Sequence, residues 1–241
     1  MLTYYSFGPA ANSLKPMLAL YEKELEFEHK LLNPAKFEHH TEWFKAINPR
    51  GQVPALDDDG KIITESTVIC EYLEDAHPTT LKLRPESHYD VAQMRVWTKW
   101  VDEYFCWCVS TIGWHRHVSN MVKDLSDEKF EEVVKNIPVP EQQVKWRRAR
   151  EGFPQDLLDE EMRKIGLSVR KLDDHLADNE WLAGGIYSLA DICNFSIANG
   201  MQFGHSEMVN TDDAPHLVRW IEQINDRPNV KRVFENVPRE F

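Results

Sequence analysis

The stretch Ala46–Asp75, AINPRGQVPALDDDGKIITESTVICEYLED, carries the local signals on which the fold turns. Its run Val53-Pro54-Ala55-Leu56 is apolar. Pro54 lacks a backbone donor and keeps the residue before it extended, which suits a strand edge. DDDG follows, rich in residues that tolerate left-handed backbone, and reads as a hairpin turn. KIITE is a short β-branched run and a second strand. Glu65-Ser66 then opens STVICEYLEDAHP, whose apolar residues recur at helical spacing until Pro78 ends the helix.

Upstream, LTYYSFG alternates and is rich in β-formers, so it reads as a strand. A helix opens near Leu14, with Asn12 or Ser13 as its cap and Pro16 in its first turn. EFEHKLLN reads as a second strand and FEHHTEWFKAIN as a short helix. The order is βαβ, helix, ββ, helix, an α/β module of about 80 residues. Downstream of PTTLKLRPESH the texture changes, and from Tyr89 apolar residues recur at helical spacing. DVAQMRVWTKWVDEYFCWCVSTIGWH, DEKFEEVVKNI, QDLLDEEMRKIGLSVRKLDDHLADN and SLADICNFSIANGMQ each predict a helix, and APHLVRWIEQINDRPNVKRVFE one or two. PVPEQQVKWRRAREGFP reads as a proline-bounded basic insert: a solvated turn, a cover for a pocket mouth, or a dimer contact. The fold class is α/β plus all-α, with a first domain over 1–80, a helical domain over 89–241 and a linker near 79–88.

Composition narrows the function. A formal net charge of -12 argues against nucleic-acid binding, which needs lysine and arginine. No apolar run approaches the roughly 20 residues of a membrane span, and no basic flank precedes an apolar run as in a signal peptide. Cys70, Cys106, Cys108 and Cys193 are scattered, which points to a reducing cytoplasm. Cys106 and Cys108 are not spaced as a redox or zinc pair, and His115 and His117 face differently on a helix, so no metal site is expected.

Two places have the chemistry of a binding site. At Glu65-Ser66, the Ser66 hydroxyl and the free N–H groups of the first helical turn suit a carboxylate, and Glu65 suits an ammonium. In the turn GPAANSLKP, Asn12 and Ser13 can act as donors, as plain helix caps, or as both. The aromatic run Trp97, Trp100, Tyr104, Phe105, Trp107 and Trp114 has the spacing of a helical core face, and part of it could wall a pocket. Ser188-x-x-Asp191 is a capping box with a structural role, each member contributing about 1 kcal/mol.

NPRGQVPAL paired with ESTVICEYLED, followed by SLADI in a helical half, resembles the soluble glutathione transferases over essentially the whole chain. The blocks YSFGPAANSLKP, TESTVICEYLED and PEQQVKWRRAREGFPQ resemble the bacterial glutathione-dependent β-etherase branch. The resemblance implies a thioredoxin-like domain followed by a helical bundle. It implies a cis Val53–Pro54 peptide whose Val53 main chain pairs with the cysteinyl unit of glutathione, with Glu65 and Ser66 on the γ-glutamyl end. For the glycine carboxylate His40, Lys45, Arg50 and Gln52 are candidates, and the family pattern favours His40 and Gln52. Ser13, with Asn12 as a second donor, is expected to stabilise the thiolate, although the helix N-terminus alone could do so. Tyr104, Trp107 and Trp114 are expected in the substrate pocket.

The implied reaction is thiolate attack at Cβ of a lignin-derived α-keto β-aryl ether of (βS) configuration. A phenol such as guaiacol is released, and glutathione is consumed as cosubstrate. A homodimer is the family expectation. Two alternatives stand beside this one: dehalogenation or isomerisation at the same site, and a non-catalytic binder of hydrophobic ligands.

Overall fold

The computed structural model describes residues 1–78 and 81–237. Thr79 and Thr80, part of the expected linker, lie outside the described residues. Strand β1 (Leu2–Ser6) is followed by helix α1 (Ala11–Glu22) and strand β2 (Phe27–Leu31). Helix α2 (Glu42–Lys45) leads to β3 (Ala55–Asp58), β4 (Lys61–Thr64) and α3 (Ser66–Ala76). The sheet order is β2-β1-β3-β4. β1 and β2 run parallel with Leu2 opposite Phe27, as a βαβ unit requires, and β3 is antiparallel to both β1 and β4. Asp59 and Gly60 both have positive φ, at 48° and 86°, which gives the tight hairpin its primed-type turn.

Two features of this half differ from expectation. α1 begins at Ala11 rather than near Leu14, and its N-cap is Ala10, with no side-chain cap. Asn12 and Ser13 are therefore inside the first turn and do not cap the helix. Likewise the helix expected over FEHHTEWFKAIN is confined to Glu42–Lys45, whereas α3 begins at Ser66 as read, with Glu65 at the cap position. α1 is apolar on almost every side, with Leu14, Met17, Leu18 and Leu20 buried, because it lies between the sheet and the helical half. On the sheet's other face Phe44 of α2 packs with Leu32 and Ala55.

The second half opens with a continuous rod from 88 to 123. It comprises α4 (His88–Trp100), a π turn (Val101–Phe105), α5 (Cys106–Gly113), a second π turn (Trp114–Val118) and α6 (Ser119–Lys123). Ser87 caps its start. After α7 (Asp127–Lys135), the basic insert turns out to be helix α8 (Pro140–Glu151), with Pro140 in its first turn and Trp146 and Ala149 buried on one face. α9 (Gln155–Asp178) packs along the rod. α10 (Leu189–Ala198) is buried at every position and forms the centre of the molecule. α11 (Met201–Gly204), α12 (Pro215–Asn225) and α13 (Pro228–Asn236) complete the chain, with Pro228 breaking the last helical pair. Among the described residues no helix is long and apolar enough to cross a membrane.

The halves are locked together by charge as well as by apolar packing. Arg227 makes a two-pronged contact with Glu22 at 2.6 and 3.0 Å, and Lys15 of α1 pairs with Asp102 of the first π turn. All four cysteines are free thiols.

Candidate active site

One cleft of about 430 Å³ lies between the halves. Its floor is the segment that decides the fold: Gln52, Val53, Pro54, Glu65 and Ser66, with Asn12 from the start of α1. The opposite wall is helical, built from Asp102, Cys106, Trp107 and Ser110 of the rod and Lys145 of α8. Asp102, Cys106 and Ser110 are four residues apart. On a 3.6-residue helix that spacing drifts around the axis, and the wider π turn takes up the rotation, so all three meet the cleft.

The floor is held by local polar contacts. The Val53–Pro54 peptide is cis. Asn48 donates from Nδ2 to the Gln52 carbonyl at 2.6 Å and accepts from the Arg50 N–H at 3.1 Å. Gly51 has φ 59°, and a Cβ there would stand 3.0 Å from the His39 carbonyl and 3.1 Å from the His40 ring, so only glycine suits this bend. Arg50 donates from Nε to Gln52 Oε1 at 3.2 Å and lies 3.9 Å from Glu65, which sets a cation beside the floor. Glu65 itself has φ 68° and ψ 115°, a conformation that costs a non-glycine residue energy and persists only where the surrounding structure holds it. It leaves the N-terminus of α3 open toward the cleft, without a side-chain cap.

Asn12, Gln52, Val53, Pro54, Glu65, Ser66 and Trp107 thus come together as the sequence suggested, while the other candidates lie elsewhere. Ser13 is buried, its hydroxyl 3.5 Å from the Phe7 N–H and its carbonyl bonded by the Tyr4 hydroxyl, and it does not line the cleft. His40 is buried against His39, Phe37 and Trp146, and burial holds its pKa down to about 4, so it is neutral at pH 7. Tyr104 stacks on Trp100 on the side of the rod that faces α9. Trp114 packs edge-on against Trp146 behind the wall.

Sequence reasoning missed Asp102, Cys106 and Ser110 of the wall and, with them, Lys145. This lysine lay in the supposed insert, and only its place on one helical face beside buried Trp146 and Ala149 signals an inward direction. Its Nζ donates to Ser110 Oγ at 2.9 Å and lies 4.6 Å from the Trp114 ring centre and 5.5 Å from that of Trp107. Burial lowers its pKa to about 8 against a smaller opposing pull from Cys106. Cys106, 3.7 Å from Asn12 Oδ1, is the thiol in the cleft, and burial raises its pKa. It stays protonated at neutral pH.

A small α/β half with a cis-proline floor, set across one cleft from a helical half, defines a two-domain thioredoxin-like fold. A model of the glutathione S-transferase N-terminal domain matches residues 1–75, and one of the C-terminal domain matches residues 105–228. The chain belongs to the glutathione S-transferase family. It is 58% identical to Protein LigF of Sphingobium sp. (strain NBRC 103272 / SYK-6) over 99% of this chain and 95% of that protein. The crystal structure of β-etherase LigF from Sphingobium sp. strain SYK-6 superposes with a TM-score of 0.95 at 59% identity, covering 98% of this chain and 99% of that one. Glutathione transferase F7 from Populus trichocarpa is more distant, with a TM-score of 0.75 and 25% identity over 100% of both chains.

Proposed function

We propose that this protein is a glutathione-dependent β-etherase acting on lignin-derived β-aryl ethers. The observation that carries the reading is the two-sided cleft: a polar floor suited to a peptide end, facing an aromatic wall, in a chain 58% identical to LigF along nearly its whole length. Glutathione is a substrate here and is consumed. Residues 1–80 hold it, residues 89–241 supply the aryl pocket, and 79–88 link the two.

Its γ-glutamyl carboxylate sits at the start of α3 with Ser66, and its ammonium pairs with Glu65. The Val53 main chain pairs with the cysteinyl unit like an added strand. Gln52 takes the glycine carboxylate, and Arg50, already bonded to it, supplies the cation that a neutral His40 lacks. The thiolate lies at the start of α1, whose N–H groups and positive dipole end favour a negative sulfur. Asn12 lines that point, and Ser13 acts by fixing the turn beneath it.

The sulfur attacks Cβ of an α-keto ether, the aryloxy group leaves as a phenol, and a glutathione thioether of inverted configuration remains. The aryl ring lies on Trp107, and the protein contributes proximity and a partly dry cleft. We place the enzyme in the cytoplasm, as four free thiols suit, and as a homodimer, which light scattering tests.

The deciding experiment is incubation with glutathione and a racemic guaiacyl β-ether ketone, followed by chiral chromatography. We expect half the ether, the (βS) enantiomer, to disappear with equal yields of guaiacol and adduct. Glutathione binding without guaiacol release would sink the etherase reading.

A further inference from the structure

A phenoxide is a modest leaving group, and the cleft holds one cation placed to meet it. Lys145 stands on the helical wall, across from the floor formed by Val53, Glu65 and Ser66 and beside the half-exposed Trp107. Its ammonium is fixed by Ser110 Oγ and by the faces of Trp114 and Trp107. Among the described residues no carboxylate lies within ion-pair distance of its Nζ, whereas Lys15 is committed to Asp102 and Arg50 lies beside Glu65. The charged and titratable groups around it are Cys106 and Asp102 on the rod, Glu141 on its own helix, and Arg50 and Glu65 across the cleft. A partly buried ammonium with no counter-ion is costly unless it serves a function or a ligand completes its shell.

Resting on the etherase reading above, we propose that Lys145 is the general acid of the reaction, protonating the aryloxy oxygen as the Cβ–O bond breaks. The thiolate electron pair forms the S–Cβ bond, and the Cβ–O pair leaves on the aryloxy oxygen. One Nζ proton passes to that oxygen, which gives the neutral phenol. The resulting amine regains a proton from water. Ser110 positions the ammonium, and Trp107 carries the leaving ring at its side. The acidity is well matched: burial holds Lys145 near 8, below the roughly 10 of a phenol such as the tyrosine side chain, so the transfer runs downhill while the lysine is still mostly charged at neutral pH.

The test compares two α-keto β-aryl ethers, one releasing guaiacol and one releasing 4-nitrophenol, whose anion needs no proton to depart. For Lys145→Met we expect kcat on the guaiacyl ether to fall by about 100-fold, and on the nitrophenyl ether by less than about threefold. Lys145→Arg keeps the charge but cannot release a proton at neutral pH, so it should show the same leaving-group-dependent loss. Glutathione affinity by calorimetry should be unchanged in both variants. Equal losses on the two ethers, or no loss on either, would overturn the proposal; so would full guaiacyl activity in Lys145→Arg, which would reduce Lys145 to a fixed charge. A wild-type protein that binds glutathione yet releases neither phenol overturns the etherase reading itself, a different result from any of these.

Discussion

Asp191 accepts four hydrogen bonds in a fully buried site: from the Leu182 and Ser188 N–H groups and Trp220 Nε1, each at 3.0 Å, and from Ser188 Oγ at 3.2 Å. The capping box was legible in Ser188-x-x-Asp191, but Trp220 lies far along the chain and no spacing announces it. Burial pushes the Asp191 pKa up to about 6, with the donors opposing. Four donors argue for a larger contribution than the about 1 kcal/mol of a cap alone. Asp191→Ala strips every donor of its partner at once and should cost about 3 kcal/mol or more, read from the urea midpoint. A loss near 1 kcal/mol would mean that the residue is only a cap. Ser13 shows the same limit. A hydroxyl at a strand-to-helix turn is visible in sequence, but its burial under Tyr4 and Phe7 depends on where the sheet lies.

Among the elements, α8 and the loop before α2 were the least legible. KWRRAR looks solvated because arginines dominate it, yet Arg147 and Arg150 reach across to Glu131 and Asp127 of α7 and leave the opposite face to pack inward. That face meets His40 through Trp146, and the His40 ring centre lies 3.8 Å from that of His39. Burial is the main cause that lowers both histidines, to about 3 and about 4. The unfolded chain protonates them near 6.5 and the folded chain resists, so the stability they contribute is full above pH 6.5 and is lost as pH falls toward 4. Wild type should lose urea stability between pH 7 and pH 5 relative to the His39→Gln/His40→Gln double variant. The Asp191 titration, of opposite sign, is common to both proteins and cancels. Parallel pH curves for the two proteins would rule this out. By contrast, the four strands and α3 were legible, since alternation, the Asp59-Gly60 turn and Pro78 act within a few residues.

For the whole molecule, the junction between the halves decides whether the cleft exists at all. Glu22 and Arg227 clamp it outside the cleft lining, with the Arg227 guanidinium 3.8 Å from the Tyr187 ring centre. Arg227→Met leaves the Glu22 carboxylate buried and unpaired and should cost about 3 kcal/mol, and adding Glu22→Gln should recover much of that loss. Additive losses in denaturant unfolding would show that the two residues are not coupled.

The amino-acid sequence by itself determined the α/β-then-helical order, the hairpin, the Val53-Pro54 floor and the Glu65-Ser66 helix start. Each depends on backbone preferences and periodicities that neighbouring residues set. The tertiary structure alone decided that Lys145 faces the cleft, that Arg50 stands beside it as a cation while His40 is buried and neutral, and that Trp107 is exposed to it while Tyr104 and Trp114 turn away. Burial, pairing and pKa at these positions come from groups brought together across the domain junction, and no local pattern encodes that distance.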